Sequence, residues 1–197
     1  LSFGLIFFIL KSKNGLNKSE AYAIYGVTNV GCRTSVLERT DDAVGLSYKS
    51  FASVVTQSDF DECYPWSEMK EVADNSGNIF IKIQKIYSRI TKNNDGTYKY
   101  QISRSCYDGF STLFVDGKGN EIEYVLVGKY EGSGNENRIY SRTESSVCTD
   151  LTMADYRKGC QANGIGYQQY DYLIDMIIKE LFTIEFATTD SQSVMRG

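Results

Sequence analysis

The order of apolar and polar residues changes its period along the chain, and that change is the first guide to structure. Asn78–Ile90, NIFIKIQKIYSRI, alternates with Ile79, Ile81 and Ile83 on one side, then shifts parity to Ile86, Ser88 and Ile90. Alternation of period two predicts a half-buried strand, and a parity shift within it predicts a β-bulge. NNDG at Asn93–Gly96 is a turn, after which Tyr98, Tyr100 and Ile102 resume the alternation, so a hairpin is expected. STLFV, the turn DGKGN at Asp116–Asn120, and EIEYVLVGKY predict a second hairpin, with EGSGNEN (Glu131–Asn137) as a loop. Earlier, Ala21–Gly45 reads as irregular with one short strand near AIYGV, and a short helix is expected to begin near Ser67.

The last third turns helical. Thr152, with Asp155 three residues on, is an N-terminal capping signal for a short helix that Gly164 would end. Tyr170, Leu173, Ile174, Ile177, Ile178, Leu181 and Phe182 then recur at helical spacing, with Asp171, Asp175 and Lys179 opposite. Strands first and helices after them predict an α+β fold. No linker or repeat divides the chain, so residues 21–197 are expected to form a single domain after an N-terminal segment, residues 1–20. That segment opens on LSFGLIFFIL, too short to span a bilayer and with its lysines after rather than before it. A strand, the remnant of a signal segment and a spurious leader are equal readings of it, and no membrane insertion is expected.

Composition narrows the chemistry. The 197 residues are 42% hydrophobic, enough for a packed core, and carry a net charge of −4 without a long basic run, so nucleic acid is not an expected partner. Histidine is absent, which removes histidine bases, catalytic triads and imidazole zinc sites. Cys32, Cys63, Cys106, Cys148 and Cys160 are dispersed and never spaced C-x-x-C, so they read as reduced, mostly buried small residues. Fifteen tyrosines suit both strands and recognition surfaces.

The densest chemistry lies in DFDECYPWSE, Asp59–Glu68, which holds four carboxylates and the chain's only tryptophan and only proline. Asp59, Asp61 and Glu62 are the candidate metal ligands, although no EF-hand spacing surrounds them. Tyr64 and Trp66 are the candidate ligand-stacking rings, for a sugar for example; the alternative for the whole stretch is a structural corner. Glu180 and Glu185 stand near the end of the long helix. Glu185, between Ile184 and Phe186, is expected to be partly buried, with either a shifted proton affinity or a hydrogen bond to a nearby loop. No catalytic residue and no cofactor is assigned.

ERTDDAVGL (Glu38–Leu46), SDFDECYPWSEM (Ser58–Met69) and NIFIKIQKIYSRI, followed by Tyr107–Ser133 and Arg157–Ser193, resemble in that order a group of uncharacterised phage and prophage structural proteins of gut bacteria. The resemblance implies a tail-fibre or receptor-binding component with a C-type-lectin-like fold, shared with formylglycine-generating enzymes. It also implies a virion location after synthesis in the bacterial cytoplasm, a host surface glycan or protein and other tail proteins as partners, and by analogy a homo-oligomer, a trimer. In that group DFDECYPWSE recurs as a scaffold block. The chain departs from the pattern at Gln84, where relatives carry proline. It lacks the EPN, QPD and WND triplets of calcium-dependent lectins, and it is expected to end before the family's ligand-binding surface. The alternatives are an enzyme on the same fold, either an oxidase of the formylglycine-generating type or a glycan-cleaving tail protein, and a bacterial cell-surface adhesin.

Overall fold

The computed structural model describes residues 20–31, 36–143 and 146–195. Apart from Glu20, the segment expected to stand before the domain lies outside them. The fold is α+β, with mostly antiparallel sheets and three helices.

The largest sheet has the order β2-β1-β8-β7, built from β1 (Ile24–Val30), β2 (Glu38–Asp41), β7 (Tyr87–Lys92) and β8 (Tyr98–Ser103). Registers Val27↔Tyr100, Tyr25↔Ile102 and Ser88↔Ile102 place Tyr25, Val27, Tyr100, Ile102 and Ser88 on one face. Helix α2 (Tyr172–Phe186) packs on that face and buries Ile177, Leu181, Ile184 and Phe186. β3 (Tyr48–Phe51) and β4 (Val54–Ser58) form a two-stranded ribbon, and β5 (Lys70–Ala73), β6 (Ile79–Gln84) and β9 (Tyr124–Gly128) form a sheet of order β5-β6-β9. β10 (Gly132–Asn135) and β11 (Arg138–Ser141) make a small hairpin that carries helix α1 (Met153–Gln161); α3 is the short turn Ser191–Val194. One apolar cluster joins Val27, Phe60, Trp66, Met69, Ile83, Ile86, Phe114, Leu181 and Ile184.

Several expectations are met. The Asn93–Gly96 turn closes β7 onto β8, with Asn93 N–H donating to Thr97 O at 2.8 Å. Thr152 caps α1 by accepting the Asp155 N–H, and the turn at Asp116–Asn120 forms. α2 begins later and runs further than its apolar spacing implies. Asp171 caps it at the N-terminus, Ala187 in the left-handed conformation ends it, and Tyr170 precedes it, half exposed.

Others are corrected. The parity shift in Asn78–Ile90 is not a bulge, because β6 ends at Gln84, β7 begins at Tyr87, and the two belong to different sheets. Val115 and Glu121 form only an isolated bridge; the second hairpin opens at once, because β9 leaves to pair with β6. The expected loop at Glu131–Asn137 contains a strand, since Gly132–Asn135 is bonded to Arg138–Ser141. The helix near Ser67 is a single 3-10 turn, Trp66–Glu68. Of the cysteines within the described residues, Cys63, Cys148 and Cys160 are half-buried and Cys106 is exposed, so none is a fully buried filler.

Candidate functional site

The corner Asp59–Glu68 folds inward through its rings and outward through its acids. Ser58 Oγ accepts the Phe60 N–H at 3.3 Å and starts a 3-10 turn over Asp59–Glu62. That turn drives Phe60, wholly inaccessible, against Trp66 with ring centroids 4.8 Å apart, and Trp66 in turn meets the edge of Tyr25 at 6.0 Å. Such edge-to-face pairs add about 0.5–1.5 kcal/mol each beyond area burial.

Tyr64 is equally committed to the frame. Its hydroxyl donates to Lys85 O at 2.5 Å, and the Arg104 guanidinium, itself paired with Glu68 at 2.9 Å, lies over its ring. Burial pushes the Tyr64 phenol up to about 12. Tyr64 and Trp66 therefore have no open face on which a sugar could stack, and the stacking role expected of them is withdrawn.

The acids do not converge. Asp59 Oδ2 accepts both the N–H and the hydroxyl of Ser47, at 2.8 and 2.9 Å, which holds its carboxyl below the usual range and ties it to the start of the ribbon. Asp61 and Glu62 are exposed. No group of three or more histidine, cysteine, aspartate or glutamate side chains among the described residues could hold a metal ion.

The stretch instead borders a polar cluster assembled from the far end of the chain. The last turn of α2 brings Glu185 to within 2% of complete burial behind this corner. Arg39 on β2 donates from Nη2 to the Glu185 carbonyl oxygen at 2.5 Å, with its guanidinium 5.6 Å from the Phe60 ring centre. Three buried polar atoms here make no hydrogen bond among the described residues: Arg39 Nε, Trp66 Nε1 and Glu185 Oε2. Burial pushes the Glu185 carboxyl up to about 7; Asp61 adds to this, while Ser58, Trp66 and Arg39 oppose it. The two readings of Glu185 left open by the sequence coexist: burial raises its proton affinity, and the Ser58 hydroxyl and Trp66 indole act on the carboxyl as hydrogen-bond partners, with Oε2 poorly satisfied. Glu180, on a different side of the helix and 1% exposed, has both oxygens unpartnered and is likewise raised to about 7 by burial, with Ser88 opposing.

A contrasting surface lies beside this cluster. The β3–β4 ribbon turns through Ala52 and Ser53, both at positive φ (51° and 61°), between the paired residues Phe51 and Val54. Left-handed φ at both central residues suits the right-handed twist of a two-residue hairpin loop, but it strains alanine and serine relative to glycine or asparagine. The tip carries Phe51, 77% exposed, and Val54, 57% exposed. At the base, Tyr48 meets the edge of Phe186 at 5.0 Å, which ties the ribbon to the residue after Glu185. A second aromatic patch lies on β9, where Tyr124 and Leu126 are exposed and the Lys82 ammonium sits 3.9 Å from the Tyr124 ring centre. The crease lined by Gly164, Ile165, Gly166 and Tyr167 is shallow and open. No helix among the described residues is long and apolar enough to cross a membrane.

Sequence reasoning did not find Arg39 or the ribbon. Arg39 and Glu185 are 146 positions apart, so no local spacing connects them. The Ala52–Ser53 turn lacks the Asn-Gly or Asp-Gly signature that would have announced a hairpin. No family model, curated protein or solved structure matches the chain.

Proposed function

We propose that this chain is a non-catalytic recognition module of a phage or prophage virion, tail-associated, that binds a host surface glycan or protein. The single observation that supports the reading is the β3–β4 ribbon. It lifts a bare phenylalanine and a bare valine on a strained two-residue turn, while Tyr48 and Asp59 fix its base to the core. Large apolar side chains exposed on a braced projection are what a binding surface requires, and burying Phe51 against a partner is worth about 2 kcal/mol. A short and a longer helix packed with antiparallel hairpins are compatible with a C-type-lectin-like arrangement, which we include in the proposal, together with a homo-oligomeric, by analogy trimeric, assembly in the tail.

The test is binding of purified protein to a panel of gut bacterial cells and their isolated surface polysaccharides. Phe51→Ser should weaken binding roughly thirtyfold, the equivalent of about 2 kcal/mol, with the melting temperature unchanged. Equal binding by the variant and the parent, or binding to no surface in the panel, would remove the proposal.

A further inference from the structure

We propose that Arg39, Glu185 and Trp66 form a proton-operated switch at the C-terminal end of α2, in which Arg39 exchanges its partner from the Glu185 carbonyl to the Glu185 carboxylate when the carboxyl loses its proton to water. This inference is independent of the recognition reading.

The geometry supplies both states. In the state described here the guanidinium uses Nη2 on the main-chain oxygen of Glu185 and leaves Nε–H unpartnered. The side-chain carboxyl of the same residue keeps Oε2 buried and without a well-formed hydrogen bond, and the Trp66 indole N–H faces the carboxyl closely enough to act on it, also short of good geometry. A neutral carboxyl tolerates that setting at the cost of one hydrogen bond; a carboxylate does not, because an unpaired buried charge is far more costly than an unpaired dipole. The donors that can answer it are already adjacent. Arg39 can turn Nε toward Oε2, and the Trp66 N–H can complete the shell, so one proton lost is compensated by one ion pair gained.

The charged and titratable groups around Glu185 fix the direction of the response. From β2 comes the Arg39 cation. From the 3-10 turn come Asp61, which opposes ionisation, and Asp59, which acts through Arg39 and is itself held by Ser47 and Lys49. From β3 comes Tyr48, which acts on Arg39; from β4 Ser58, and from the second 3-10 turn Trp66, both of which favour the ionised form. Arg39 is the only cation among these groups that acts on Glu185 directly, so its partner exchange is the available compensation. The exchange releases the Glu185 carbonyl in the last turn of α2, next to Phe186, on which Tyr48 and hence the ribbon rest.

Trp66 is the chain's only tryptophan and one of the three members of the switch, so its emission reports the exchange without a label. In the intact protein, with helix content constant by circular dichroism, Trp66 emission should follow a one-proton curve centred near pH 7. Glu185→Gln should flatten it, Glu180→Gln should leave it in place, and Arg39→Met should move its midpoint upward by a unit or more. A second measurement covers the case in which Glu185→Gln fails to fold: carboxyl carbon shifts of the Glu180→Gln protein should still show a glutamate titrating near 7 together with the tryptophan signal. Emission that does not change between pH 5 and 9, a curve that survives Glu185→Gln, or a midpoint indifferent to Arg39→Met would each overturn the switch.

Discussion

The two longer helices, α1 and α2, are attached by opposite means. α2 is held by side chains: seven of its fifteen residues are buried, and Ile177, Leu181 and Ile184 belong to the main apolar cluster. α1 is held by missing side chains, since Gly159 is its one buried residue. A Cβ at Gly159 would stand 2.8 Å from Ile139 Cγ1 and 3.0 Å from Asn135 O, and a Cβ at Gly132 would strike the Tyr156 ring. Glycines at both ends of the contact let α1 lie directly on the β10–β11 hairpin, and Arg138 and Asn163 bond across the junction. The difference teaches that burial by large side chains ties a helix to the whole core, while close backbone approach ties it only to its neighbour.

Truncation in the α2 seat should produce the largest effect. Ile184→Ala removes a wholly buried side chain from the shared cluster and should cost about 2–5 kcal/mol in denaturant unfolding, with all spectroscopic probes moving together. If only the helical signal weakened, α2 would be as peripheral as α1 and the contrast would fail.

The next effect comes from the acids that α2 buries. Glu180 and Glu185 titrate near 4.5 in the unfolded chain and near 7 in the fold, so the unfolded chain releases these protons first. Stability due to them is therefore greatest below pH 4.5, falls as the pH rises toward 7, and is level above it. Each should contribute about 3 kcal/mol to that fall. Glu180→Gln removes a titrating group but keeps its shape, so it should flatten the slope by about half and leave the variant more stable than the parent at pH 8. A parent whose unfolding free energy rises from pH 5 to 7.5 would contradict the burial of both acids.

Thr152→Ala gives the smallest shift. The hydroxyl accepts the Asp155 N–H at 3.2 Å and bonds the Asp155 carboxylate at 2.6 Å, so its loss should cost about 1 kcal/mol. The change should appear as faster amide exchange confined to α1, with α2 unaffected. Exchange spreading into α2 would show that the two attachments are one.

What was legible in the sequence follows the same divide. The apolar spacing from Leu173 to Phe182 announced α2 because a deep seat demands periodic apolar residues, and Thr152 with Asp155 announced α1 because capping is local chemistry. The hairpin at Asn93–Gly96 was likewise written in neighbouring residues. The handover at Lys85–Ile86 was not: a parity shift looks the same whether a strand bulges or leaves for another sheet. EGSGNEN reads as a loop because its glycines weaken every strand signal, yet Gly132 is there to admit Tyr156. At the candidate site, the corner block was visible as a scaffold. Its acids and rings promised ligands that burial and outward orientation refuse, while Arg39, brought by β2 from far along the chain, carried no local signal.

The handover at Lys85–Ile86 also bears on how the molecule can be divided. One uninterrupted run of peptide supplies the middle strand of one sheet and an edge strand of the next, with a two-residue joint between them. A nick or an insertion at that joint would strip both sheets at once, so neither could be excised and expressed as a smaller folded fragment. Cut points for circular permutation belong at the Asp116–Asn120 turn instead, where the residues are exposed and bonded only among themselves and to their immediate flanks.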